Sequence, residues 1–228
     1  VAPAPGTRTY VIALIALNLL AIRLAEVLMR ITMDQANQMR RELGAIGLQL
    51  ADTEARLSAP IRAFAGQSRS WQMFDVLGSG PSLGAAGYSA AKLVEAAGVH
   101  AIAQDSEEFF HLNFFVDHPT TIPTVLYAPA EGAAASRSRD LIETLQKLGR
   151  PSLVVTDQPG LGSGGTELLL PRVREWFAPI VQAVPASLLA AYAAEARGCP
   201  HYRGHDGPWI GARGASLVRN SPIDLNRG

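Results

Sequence analysis

Trp71-Gln72-Met73-Phe74-Asp75-Val76-Leu77-Gly78-Ser79-Gly80-Pro81-Ser82 is the stretch whose reading decides the fold. Trp71 to Leu77 is a short apolar run, the glycine- and proline-bearing residues after it make a tight turn, and alanine-rich Ala85 to Ala97 follows as a helix. Strand, turn and helix then recur downstream. Val99 to Ala103, Thr124 to Tyr127, Leu153 to Thr156 and Glu167 to Leu170 read as strands, with helices expected near Ser106 to Leu112 and Arg137 to Leu148. Apolar runs without clean alternation suit parallel strands covered on both faces, because crossover helices must lie on those faces. The expected class is therefore α/β, a doubly wound sheet of about five parallel strands.

Upstream of that unit the chain reads as helix. Thr9 to Arg30 carries Ile12, Leu14, Ile15, Leu19, Leu20, Ile22, Leu24 and Leu28 almost all round, which predicts a central, buried helix. Asn18, Arg23 and Glu26 interrupt the run and argue against a membrane span. Asp34 is the expected cap of a second helix bearing Met39, Leu43, Ile46 and Leu48, with a further polar helix from Ala51 to Phe64. Near the other end, Arg174 to Arg197 predicts a long apolar helix broken at Pro179 and Pro185. The expected organisation is a helical segment over 1–67, an α/β domain over 68–197 and an irregular tail over 198–228. The opening Val1-Ala2-Pro3-Ala4-Pro5-Gly6 reads as a loop, with the expectation that something precedes it.

Composition narrows the function classes. With 48% hydrophobic and 18% charged residues over 228 positions, the chain has enough apolar surface to fold. Twenty basic and twenty acidic side chains leave no net charge, which disfavours nucleic acid and anionic membrane as partners. One cysteine, Cys199, excludes an intrachain disulfide and fits a reducing cytoplasm.

Three groups of residues carry possible chemistry. The Gly78-Ser79-Gly80-Pro81-Ser82 turn could offer backbone N–H groups to a phosphate, yet it matches neither the dinucleotide fingerprint nor the lysine-bearing phosphate loop. A glycine turn that merely bends the chain explains it as well. Lys92 and Glu95, three apart on a helix, could form a tuned proton-transfer pair or a solvated helix face. Glu107, Glu108 and His111 fall on a short helix beside Phe109 and Phe110, where desolvation would matter. In the tail, Cys199, His201, His205 and Asp206 are of metal-ligating types, but Pro200 and Gly204 make that segment a loop with no second cluster, so no metal site is expected. Trp209, Arg213 and Arg219 could close over a ligand or dock the terminus.

The run from Gly78-Ser79-Gly80 through Ala90-Ala91-Lys92-Leu93-Val94-Glu95, then Val99-His100-Ala101 and Glu108-Phe109-Phe110-His111, resembles the second sugar isomerase (SIS) domain of the isomerase half of glucosamine-6-phosphate synthase. Gly6-Thr7-Arg8-Thr9-Tyr10 is similar to the segment closing that family's first SIS domain. Ala178-Pro179-Ile180 through Leu188 to Tyr192 is similar to its last helix. The resemblance implies a flavodoxin-like SIS fold acting on a phosphorylated sugar without cofactor. It places Glu95 as enolisation base, Lys92 as its supporting lysine and His111 as the group that opens the sugar ring. Substrate contacts are expected from Thr7 and from Gly78, Ser79 and Ser82. It further implies a homodimer in which His111 serves the neighbouring copy, or a first SIS domain supplied upstream. Two departures stand out. Tyr88 occupies a position where the family has glutamate, and the tail lysine that forms an imine has no equivalent, since the only lysines are Lys92 and Lys147. An isomerase or aminosugar-phosphate enzyme, a deglycase acting on an Amadori product, and a non-catalytic phosphosugar-binding module all remain open.

Overall fold

The computed structural model describes residues 6–200. Helices α1 (Thr7–Val27) and α2 (Met33–Ala65) come first; the α/β unit follows as β1 (Met73–Gly78), α3 (Pro81–Lys92), β2 (His100–Asp105), α4 (Ser106–His111), β3 (Thr124–Tyr127), α5 (Ala135–Lys147), β4 (Ser152–Thr156), β5 (Thr166–Leu169) and α6 (Ala178–Ala196). All strand pairs are parallel, and the five-stranded sheet has the order β2-β1-β3-β4-β5. This is the doubly wound α/β arrangement expected from the sequence. Central strands β3 and β4 are buried at every position, and β2 at the edge is half exposed.

Alternating residues of each strand feed two cores. Phe74, Val76, Val125, Tyr127, Leu153 and Val155 face the layer that holds α2, α3 and α6. Leu77, Leu126 and Val154 face Phe109 of α4 and Leu141, Ile142 and Leu145 of α5. The sheet therefore separates α3 from α4, as right-handed crossovers to opposite sides of β1 require. At the β1–α3 turn a side chain at Gly78 would begin 2.5 Å from the Ser82 carbonyl oxygen, so only glycine allows this close approach.

The structure corrects four expectations. Helix α1 is not central: Ile22 alone is buried, while Ile12, Leu17, Leu20, Leu24 and Leu28 are exposed. Its apolar residues run all round, but only the stripe with Val11, Leu14 and Ile15 meets the core. Nor do Asn18, Arg23 and Glu26 shorten it: α1, like the Glu175–Ala196 segment, is long and apolar enough to cross a membrane by length and composition, but that segment is mostly buried here as a core helix. The two helices expected between Asp34 and Phe64 are one, and its cap is Thr32. The Thr32 hydroxyl accepts from Gln35 N at 3.2 Å and the Gln35 side chain accepts from Thr32 N at 2.8 Å, a capping box that leaves Asp34 in the first turn. Finally, α6 is not broken. Pro179 sits in its first turn, where no N–H is needed, and Pro185 is carried inside a helix packed between α2 and α3. The segments before Gly6 and after Pro200, including His201, His205, Asp206, Trp209, Arg213 and Arg219, lie outside the described residues.

One charged pair is wholly enclosed. Arg150, just before β4, pairs with Asp75 of β1, and both side chains are inaccessible to solvent. Asn113 donates to the other Asp75 oxygen at 2.7 Å, while Arg150 donates to the Asn113 carbonyl at 2.6 Å and to Thr124 Oγ1 at 3.2 Å. Its guanidinium also lies 5.0 Å from the centroid of the Phe109 ring. Removing one partner would strand a buried charge, so Arg150→Met should cost about 3–5 kcal/mol in denaturant unfolding. Adding Asp75→Leu should recover part of that loss; a single variant within about 1 kcal/mol of wild type would show that the pair is not the clasp described.

On the other layer, Arg174 Nη2 donates to Glu42 Oε1 at 3.0 Å, tying the segment before α6 to α2. The Arg174 hydrogen bond holds the Glu42 carboxyl below its usual range, more than offsetting the rise caused by partial burial. A lowered folded-state value stabilises fully above the ordinary glutamate range of about 4.3 and loses its effect as pH falls through the lowered value. Thermal midpoints between about pH 5 and about pH 2.5 should therefore fall less steeply in Glu42→Gln than in wild type.

Candidate functional site

Helix α3 runs from the carboxyl end of β1 back to the start of β2 and ends on a π turn, Leu93–Ala97. Such turns widen a helix locally and often mark functional positions. Three donors secure it from outside. Arg197, at the end of α6, donates to the Ala97 carbonyl at 3.2 Å and, through Nη1, to the carbonyls of Ser68 at 2.8 Å and Trp71 at 3.1 Å. Cys199 Sγ donates to Ala97 O at 3.3 Å. The turn is thereby held to α6 and to the entry of β1.

Glu95 projects from this turn and pairs with Lys92. Lys92 is 13% exposed and Glu95 53%, so the ammonium is tucked in and the carboxylate faces outward. The ammonium also lies 5.6 Å from the Tyr88 ring centroid. One turn back, Tyr88 stacks on Tyr10 of α1 with ring centroids 4.0 Å apart. Its hydroxyl donates to Thr7 Oγ1 at 2.8 Å and lies 3.1 Å from the Ser187 hydroxyl. Burial raises the Tyr10 phenol above its ordinary value, with Tyr88 adding to the rise. Tyr127, wholly buried, is also pushed up by burial and more weakly by both tyrosines. Where the resembled family has a carboxylate, this chain has a closed seam of neutral hydroxyls joining α1, α3 and α6.

The expected site residues fall into separate places. Lys92 and Glu95 are together, and Thr7 joins their neighbour Tyr88. His111 ends α4, on the opposite layer, where it is 65% exposed and 3.8 Å from Glu107. Asp105 caps α4 by accepting from Glu107 N at 2.9 Å, and the first-turn acids and last-turn histidine suit the helix dipole. Within one chain the sheet lies between the helices bearing Glu95 and His111. Gly78, Ser79 and Ser82 are at the far end of α3. The Ser82 hydroxyl is buried and accepts from Gln182 Nε2 at 2.9 Å, while the carbonyls of Ser79 and Gly80 accept from the amides of Ser82 and Leu83, each at 3.1 Å. That end adjoins a cavity of about 240 Å³ lined by Asp157, Arg172, Glu175 and Gln182. Sequence reasoning did not single out Glu175, Gln182 or the Asp75–Arg150 pair. A charge at Asp75 within an otherwise apolar strand was the available signal. Among the described residues no group of three or more His, Cys, Asp or Glu side chains could hold a metal ion.

This chain is similar to the glutamine–fructose-6-phosphate aminotransferase (isomerizing) of Thermococcus kodakarensis, 29% identical over 196 residues, which is 85% of this chain and 32% of that protein. The chain thus spans about a third of that relative's length. Its fold matches the C-terminal domain of glucosamine-fructose-6-phosphate aminotransferase from Francisella tularensis with a TM-score of 0.78 at 22% identity, covering 85% of this chain and 55% of that one. The chain contains a sugar isomerase (SIS) domain. Tagatose-6-phosphate ketose/aldose isomerase from Escherichia coli shares the fold with a TM-score of 0.58 at 20% identity, over 71% of this SIS chain and 47% of the other. No family model matches the chain.

The hydroxyl seam gives this part of the SIS domain a measurable signature. Tyr88→Phe keeps the ring stack and removes the donor to Thr7, so unfolding free energy should drop by about 1 kcal/mol. A loss below about 0.3 kcal/mol would mean that water replaces the phenol without cost.

Proposed function

We propose that this SIS domain acts on a phosphorylated ketose or aldose as an isomerase or aminosugar-phosphate enzyme. Glu95 takes the proton from the carbon beside the carbonyl of the open-chain sugar and returns it to the former carbonyl carbon through an enediol. Lys92 is the electrostatic partner that keeps this carboxylate charged. His111, contributed by a second copy, opens the ring by moving a proton between ring oxygen and anomeric hydroxyl. The observation that carries this reading is the Lys92–Glu95 pair on a π turn anchored by Arg197. The relative's name, an isomerizing aminotransferase using fructose 6-phosphate, supports the substrate class.

Because Glu95 is half exposed and His111 lies across the sheet, the chemistry needs a covering surface from outside this chain, either a second copy or a first SIS domain that brings a phosphate cradle. The reaction as written uses no cofactor or metal, and a cytoplasmic setting fits sugar phosphates as substrates. Amadori-product deglycation would draw on the same base. A second reading is favoured by Tyr88: sealed against Tyr10 and Thr7, it leaves no carboxylate one turn before Lys92, as suits a module that binds a phosphosugar without converting it.

Solvent deuterium entering fructose 6-phosphate or glucosamine 6-phosphate, measured beside calorimetric binding on the full protein, separates the readings. Glu95→Gln should slow exchange by at least about 10²-fold with binding retained. Exchange undiminished in that variant would remove Glu95 as base, and wild-type binding without exchange would establish the module.

A further inference from the structure

The cavity at the carboxyl ends of β3, β4 and β5 has chemistry that the Glu95 site does not use. Parallel α/β sheets bind ligands outside the carboxyl ends of their strands. Gln182, 3% exposed, lies at the floor of this cavity. Its Nε2 is committed to Ser82, but its Oε1 is buried without any partner. An unpaired buried acceptor costs about 1–3 kcal/mol, so it marks a place where a donor is expected. Glu175 stands at the mouth. Its Oε1 lies 2.9 Å from where a side chain at Gly132 would begin and 3.5 Å from the equivalent point at Gly80. Gly132 has φ +113°, a conformation that further favours glycine, and its bare backbone lets the carboxylate lie over the opening.

The cations nearby are already engaged. Arg172 pairs with Glu131 and approaches Asp157 at 4.0 Å, and Arg174 is held by Glu42. Among the described residues no cation or hydrogen-bond donor pairs with the Glu175 side chain, so the polar groups left over are acceptors. A phosphate would face a carboxylate there with no free guanidinium to offset it. At about 240 Å³ the cavity is smaller than the pockets that take drug-sized ligands.

We propose that this cavity binds a compact molecule bearing hydroxyl groups and a protonated amine, with the ammonium on Glu175 and a hydroxyl donating to Gln182 Oε1. The site is distinct from Glu95. Helix α3, twelve residues or about 18 Å long, has Ser82 in its first turn and Lys92 at its end. The proposal does not rest on the isomerase reading.

Calorimetry of the full protein with glucosamine, glucose and inorganic phosphate tests it. Glucosamine should bind saturably, glucose at least ten-fold more weakly, and phosphate should not compete. Glu175→Gln should weaken glucosamine at least ten-fold with an unchanged thermal midpoint, Gln182→Leu should weaken it as well, and Glu95→Gln should leave it as in wild type. Absent glucosamine binding, equal binding by Glu175→Gln, competition by phosphate, or loss in Glu95→Gln would each overturn the assignment. A failure of Gln182→Leu to fold leaves Glu175→Gln, at an exposed position, to decide.

Discussion

The buried ion pair between Asp75 and Arg150 is the constraint around which the α/β unit is arranged. Two charges without solvent access persist only when their remaining hydrogen-bonding capacity is met, and here Asn113 and Thr124 meet much of it. The four residues come from the middle of β1, the segment after α4, the start of β3 and the approach to β4. Satisfying them at once fixes where the chain after α4 crosses beneath β1 and where β3 and β4 begin. His111 is two residues from Asn113, so the same clasp sets its place on the outer layer. Specificity is the main product of such a pair, because well-packed apolar residues of similar volume often stabilise as much.

With that crossing fixed, the position of β1 between β2 and β3 has a chemical consequence. The chain winds one way through α3 to reach β2 and the other way through α4 to reach β3, so the sheet stands between Glu95 and His111. An ordered sheet whose central strands are buried at every position has no gap through which these groups could meet. Any mechanism that uses both must therefore be assembled from two surfaces. The exposed apolar side of α1 and the outward carboxylate of Glu95 are both features that a single copy leaves uncovered.

Much of the sheet was legible in the sequence because its strands are short apolar runs punctuated by glycine and proline. Thr124–Tyr127 is found as expected and β4 differs by one residue, since burial on both faces leaves little choice of residue. The helices were harder wherever neighbours overrule local signals. Pro185 should break α6, but a helix packed by α2 and α3 tolerates the lost hydrogen bond. Apolar residues all round α1 imply burial, yet burial depends on how many neighbours exist, which no local pattern encodes. Of the site, the Lys92–Glu95 contact follows from helical spacing alone. The Tyr88–Thr7–Ser187 seam joins residues up to 180 positions apart and had no signal in the chain.

The two ends of α3 have opposite electrostatic character, and this limits what each can do. At its start, Ser82 and Gln182 bury neutral dipoles beneath an unpaired carboxylate at Glu175, an environment that admits donors and resists anions. At its finish, Lys92 holds a positive charge under Glu95, so an anionic substrate approaching that carboxylate meets partial compensation. A phosphosugar is thus better received at the π turn than at the strand ends, although the latter is where parallel sheets usually place phosphate. That inversion follows from the residues filling each end. The glycine turn after β1 has its carbonyls and the Ser82 hydroxyl committed internally, which leaves the π turn as the part of α3 with charge available for a sugar phosphate.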